Sequence, residues 1–77
     1  MAEPKVISRL ERMKSSVNGN PRFMVTFTDG SSMPTKPDAM LAYGIENEEY
    51  RDRPLLVEVE RGQIVYLRNA DGSRIDV

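Results

Sequence analysis

Arg22-Phe23-Met24-Val25-Thr26-Phe27-Thr28 is the stretch of sequence that decides the fold. Phe23, Val25 and Phe27 alternate with other residues, so in an extended chain they lie on one side of the backbone. Alternation of aromatic and β-branched residues is typical of a strand with one buried and one solvated face. The stretch therefore predicts a strand at residues 22–28, with the core on its apolar side.

Two hairpins are predicted from the turn residues around this pattern. Asp29-Gly30 follows the strand and turns the chain into a short strand at 31–33, since glycine readily accepts a positive φ. Further along, an alternating segment at 55–60, an Arg61-Gly62 turn and a return at 63–68 form a second hairpin. The expected core is Phe23, Val25, Phe27, Leu55, Val57, Val59 and Leu67.

The segment before the central strand fits two structures. Some of its apolar residues have helical spacing: Val6, Ile7, Leu10, Met13 and Val17. However, Asn18-Gly19-Asn20-Pro21 is a turn sequence that leads straight into the strand, which favours one long hairpin from residue 5 to 28. A sheet that includes this segment also closes more readily into a barrel. We predict a strand at 5–16, with a helix packed on the sheet (an α+β fold) as the alternative.

A short helix or 3₁₀ turn is expected near residues 37–43, where Pro37 suits the first turn and Gly44 the end. Its expected buried residues are Ala39, Met40, Leu41 and Tyr43. After Asp71-Gly72, Ile75 and Val77 are expected to add a last short strand. The prediction is thus one mainly β domain over residues 1–77. It is a small bent antiparallel sheet or partly open SH3-like or OB-like barrel of four or five strands, with one helical turn.

Composition argues against catalysis. The chain has 77 residues and contains neither histidine nor cysteine, so it lacks the commonest general base and the thiol nucleophile. We therefore expect no enzymatic activity, and no metal or cofactor is expected either. The chain begins without a signal-peptide pattern and has no apolar run of membrane-spanning length, so we expect a cytoplasmic protein without membrane contact.

Charged residues supply the candidate contact sites. The net charge is −1, with a basic excess before residue 37 and an acidic excess after it. The basic candidates are Arg9, Arg12, Lys14 and Arg22. The acidic candidates, with one tyrosine among them, are Glu46, Glu48, Glu49, Tyr50 and Asp52. Solvated loops and strand faces explain such residues most simply; a partner contact is the functional alternative.

Three segments carry a resemblance to known proteins. They are Ser15-Ser16-Val17-Asn18-Gly19-Asn20-Pro21-Arg22-Phe23, then Asp29-Gly30, then Ala42-Tyr43-Gly44-Ile45-Glu46-Asn47. With them, the sequence resembles small uncharacterised proteins encoded by tailed bacteriophages and their bacterial hosts, over most of the chain. The resemblance implies a compact free-standing domain that acts as a phage accessory or host-interaction protein. It assigns no functional residues.

The function expected from these observations is a non-catalytic interaction module that binds or modulates a protein. The alternative is a small nucleic-acid-binding barrel, because such barrels combine basic side chains with stacking aromatic rings. The small negative net charge and the scarcity of aromatic residues favour the protein partner. The sequence does not determine the oligomeric state.

Overall fold

A computed structural model describes residues 3–75 of the chain. Within this range the protein forms five strands and two short 3₁₀ helices. The elements in chain order are β1 (Ile7–Met13), β2 (Arg22–Phe27), β3 (Ser32–Pro34), the first 3₁₀ helix (Met40–Tyr43), the second 3₁₀ helix (Glu48–Tyr50), β4 (Leu55–Glu60) and β5 (Gln63–Asn69). The predicted mainly β class is confirmed.

The ambiguous first segment is a strand, so the helical alternative is wrong. β1 pairs antiparallel with β2, and Leu10 lies opposite the buried Val25. A β-bulge shifts the register between Ile7 and Arg9. The bulge adds one residue to the strand, so Ile7 and Leu10 both face inward although they are three positions apart. This explains why the spacing of the apolar residues resembles that of a helix.

The strands form two antiparallel sheets, β1-β2-β3 and β4-β5. Two isolated bridges join the sheets. Lys5 pairs with Leu55 through two backbone hydrogen bonds of 2.8 Å. Thr35 bridges Ile64 in parallel, and the Lys36 N–H donates to the Ile64 carbonyl at 2.8 Å. The sheets are therefore linked at both sides but do not close into a continuous barrel.

The core lies between the two sheets and beneath the 3₁₀ helices. Its buried hydrophobic residues are Phe23, Val25, Phe27, Leu41, Ala42, Ile45, Tyr50, Leu55, Val57, Ile64 and Leu67. Six of the seven predicted core residues are among them. Val59 is the exception, with 48% of its surface exposed. The register shift beside Val59 adds a residue to β5, and Val59 itself lies two residues before the turn at Arg61-Gly62, at the exposed end of the hairpin.

The first 3₁₀ helix lies inside the predicted range of 37–43, but it buries different residues. Leu41 and Ala42 are buried, whereas Met40 and Tyr43 are exposed, which corrects the prediction for those two. A 3₁₀ helix has three residues per turn, so Met40 and Tyr43 lie one above the other on the same side. That side faces solvent.

The chain after β5 makes a turn at Asp71-Gly72, which the Asn69 N–H closes by donating to the Ser73 carbonyl at 3.0 Å. Ile75 packs against the core without forming a strand. The other residue of the expected last strand, Val77, lies outside the described residues.

Candidate functional site

The loop between β1 and β2, residues 14–21, is tied to one carboxylate elsewhere in the chain. The Ser16 hydroxyl donates to Asp38 Oδ1 at 2.5 Å. The side-chain amide of Asn20 donates to the same oxygen at 2.7 Å, and that of Asn18 donates to Asp38 Oδ2 at 2.9 Å. Asp38 thus accepts three hydrogen bonds from three residues of one loop.

The loop is also closed by its own backbone and by a tyrosine. The Ser16 N–H donates to the Asn20 carbonyl, and the Gly19 N–H donates to the Ser16 carbonyl, both at 2.9 Å. Gly19 has a φ of +83°, a value that glycine adopts without steric cost. The Tyr43 hydroxyl donates to Asn20 Oδ1. We call Ser16, Asn18, Asn20, Asp38 and Tyr43 the Asp38 network.

The network favours the ionised form of Asp38. Hydrogen bonds from Ser16, Asn20 and Asn18, in order of decreasing effect, lower the pKa of the Asp38 carboxyl below its usual value. The bonds are therefore charge-assisted, which makes them stronger than bonds between neutral groups. Asp38 also has a φ of +64°, and aspartate is among the few residues other than glycine that accept this region. Its side-chain contacts hold this backbone conformation in place.

Three exposed apolar side chains lie in or beside the Asp38 network, and we call them the apolar trio: Val17, Met40 and Tyr43. Val17 is fully exposed and lies between Ser16 and Asn18. Met40 and Tyr43, in the first 3₁₀ helix, are 87% and 67% exposed. Single exposed apolar residues are ordinary, but three around one fixed loop form a candidate contact surface.

Three of the four basic candidates lie near this loop. Arg12 lies near the end of β1 and Lys14 is the first residue of the loop, and both are exposed. Arg22 follows it and is half-buried, with its guanidinium donating to the Thr35 carbonyl at 3.2 Å. Arg12 and Lys14 are thus the two basic side chains most available for a partner at this end of the β1-β2 hairpin.

The fourth basic candidate, Arg9, lies among acidic candidates instead. It shares an open cleft of 390 Å³ with Glu46, Arg51 and Asp52, together with the β1 residues Ile7, Ser8 and Leu10. The Arg51 guanidinium donates to the Glu46 carbonyl at 3.2 Å. Folding therefore brings part of the basic set against part of the acidic set, and the two do not form separate faces.

The remaining acidic candidates lie on the second 3₁₀ helix, where the sequence indicated a solvated connection. Glu48 is exposed and Glu49 is half-buried. Tyr50 is buried in the core with 7% of its surface exposed, so its ring is not available to a partner. Its burial anchors the segment between the first 3₁₀ helix and β4.

Sequence reasoning missed the apolar trio. The available signal was Val17 itself, an apolar residue within Ser-Ser-Val-Asn-Gly-Asn-Pro, a run of residues that otherwise favours turns.

Within residues 3–75, no three potential metal ligands lie close enough to hold an ion. None of the helices in this range has the length and apolar character of a membrane span. No protein-family model, curated protein or solved structure matches the chain.

Proposed function

We propose that this protein is a non-catalytic module that binds another protein through the apolar trio. The observation that carries the proposal is the exposure of Val17, Met40 and Tyr43 around a loop held by Asp38. Transfer of apolar surface from water into an interface is favourable in proportion to its area. Three such exposed side chains in or beside the Asp38 network therefore provide a driving force for association.

The fixed conformation of the loop also favours binding, because it reduces the entropic cost of association. Binding usually costs free energy because loops and side chains lose freedom at the interface. Here the loop at 14–21 already has its conformation fixed by Asp38 and Tyr43 in the unbound protein. A preorganised loop loses less entropy on binding, so a small surface can achieve useful affinity.

The biological setting we propose is that of a cytoplasmic accessory protein of a phage type, which modulates a host or phage protein. The sequence resemblance to phage-encoded proteins supports this setting. Its segments contain four members of the Asp38 network: Ser16, Asn18, Asn20 and Tyr43. The segments that carry the resemblance therefore include most of the residues that hold the loop.

Affinity capture tests the proposal. The immobilised protein is incubated with a nuclease-treated bacterial lysate beside a Val17→Ser/Met40→Gln variant. The variant removes two apolar side chains and keeps Tyr43, whose hydroxyl belongs to the network. The control is Val59→Ser, which removes an exposed apolar side chain from a different hairpin. We expect one specific protein to be captured by the parent and the control and to be lost with the double variant. Equal capture by all three proteins would contradict the proposal.

A second candidate function, binding of single-stranded nucleic acid, is supported by the strand arrangement. When the two bridges between the sheets are counted as strand neighbours, the strand order is β1-β2-β3-β5-β4 and back to β1. This order resembles that of OB-fold barrels. Those barrels bind oligonucleotides on the face of strands 2 and 3. The corresponding outer face here carries Arg22, Met24 and Thr26 on β2, without an aromatic residue on that strand face.

We expect nucleic-acid binding to be weak and sensitive to salt. Fluorescence anisotropy with short single- and double-stranded DNA and RNA at near-physiological salt measures it. A Kd tighter than about 1 μM would exceed ordinary non-specific affinity and favour the second candidate. In that case, replacement of Arg9, Arg12, Lys14 and Arg22 by alanine should abolish binding while the protein stays folded.

A further inference from the structure

The charges around the apolar trio restrict the chemistry of its partner. In the part of the chain that the structure describes, four ion pairs form: Lys5–Asp29, Arg9–Glu11, Lys36–Glu60 and Arg68–Glu58. Arg12 and Lys14 take part in none of them, and both are exposed where β1 leads into the loop. These two cations, which lie close to Val17 along the chain, are therefore free to meet charges on a partner.

The carboxylate at the centre of the network forms no ion pair with either of them, so its single negative charge offsets only part of theirs. Both oxygens of Asp38 already accept hydrogen bonds from Ser16, Asn18 and Asn20. Arg12, Lys14 and Arg22 each carry a positive charge and Asp38 carries one negative charge, so the net formal charge of these four residues is positive. A basic rim beside an exposed apolar surface is complementary to a segment that combines apolar side chains with carboxylates.

We infer that the partner presents an acidic, apolar peptide segment to this surface, with a hydrophobic anchor against the trio and Asp or Glu facing Arg12 and Lys14. The inference rests on the proposed function and specifies its partner. The same basic rim would attract an anionic membrane, but Val17 is flanked by polar Ser16 and Asn18, which would have to enter the bilayer with it. It would also attract single-stranded nucleic acid, but the trio offers one aromatic ring for base stacking.

A peptide selection tests the inference with a defined probe. A displayed library of random twelve-residue peptides is selected on the immobilised full chain, and the enriched peptides are synthesised. We expect enrichment of Asp and Glu together with Leu, Ile or Phe. Binding should weaken roughly tenfold with Arg12→Gln/Lys14→Gln. The matched control is Arg53→Gln/Arg74→Gln, which removes two exposed arginines outside the loop and should leave affinity unchanged.

The outcomes separate the inference from the proposed function. The Val17→Ser/Met40→Gln variant shows whether a selected peptide uses the trio. Peptides that need the trio but are basic or uncharged would overturn the inference and leave the proposed function standing. Failure to enrich any peptide, or peptides indifferent to Val17 and Met40, would overturn both. Vesicles of phosphatidylcholine and phosphatidylserine form the last arm; binding to them that requires Val17 and Arg12 would replace the peptide with an anionic lipid surface.

Discussion

At the scale of the residue, Phe27 heads the fully buried side chains of the described residues by volume, and it lies opposite Ile7 of β1. Its truncation to alanine would leave a cavity that the surrounding sheets fill only in part. We expect Phe27→Ala to reduce the free energy of unfolding by about 3–5 kcal/mol. A domain of this size has a total of roughly 4–12 kcal/mol, so much of the variant should be unfolded. Urea denaturation followed by circular dichroism measures the change.

The neighbouring residue supplies the control for this substitution. Thr28 is exposed, and its backbone N–H donates to the Val6 carbonyl at 2.8 Å, a bond that alanine keeps. Thr28→Ala should therefore change stability by no more than about 0.5 kcal/mol. A Phe27→Ala variant as stable as Thr28→Ala would show that the inward register of β2 is wrong.

At the scale of the element, the turn of the β4-β5 hairpin contains a residue with a strained backbone conformation that a substitution can relieve. Arg61 and Gly62 both have positive φ, +53° and +77°, which is the pattern of a type I′ turn. Arginine is a poor residue for the left-handed region, whereas asparagine before glycine is preferred there. We expect Arg61→Asn to stabilise the protein by part of the roughly 1–2 kcal/mol that a left-handed residue costs. Thermal unfolding monitored by calorimetry would detect it.

An arginine outside the turn distinguishes turn geometry from charge. Arg74 is exposed, and its φ lies outside the left-handed region. Arg74→Asn removes the same charge, so it should leave the melting temperature unchanged. An equal rise in both variants would attribute the gain to net charge and contradict the turn argument.

The elements also show what sequence reasoning can reach. Strand β2 and both hairpins were predictable because alternation and turn residues are local properties of the chain. The bulge in β1 was not, because an inserted residue gives Ile7 and Leu10 helical spacing. The charged candidates were visible as composition, but the Asp38 network joins residues 18 to 23 positions apart. No local pattern reports contacts at that separation, and the apolar trio depends on them.

At the scale of the whole molecule, three aspartates connect stability to pH. Hydrogen bonds lower the pKa of each of the three carboxyls. Lys5 and then Ser31 donate to Asp29. The three loop residues of the network donate to Asp38, and Ser73 donates to Asp71. A carboxyl whose pKa is lower in the folded state favours folding when it is ionised. This stabilisation is complete above the unfolded value of about 3.9 and is lost as the pH falls through the folded value.

We therefore expect the melting temperature to be nearly constant from about pH 7 to pH 5 and to fall below about pH 4, where the unfolded chain begins to bind protons. Asp38→Asn should reduce this acid sensitivity, because the amide cannot lose or gain that proton, and it should lower stability at pH 7 by weakening the bonds to the loop. Glu48→Gln is the matched control, since Glu48 is exposed and takes part in none of these bonds. Differential scanning fluorimetry across the pH series gives both slopes. If Asp38→Asn and Glu48→Gln follow the same curve, Asp38 does not hold the loop, and the preorganisation on which the proposed binding surface depends is refuted with it.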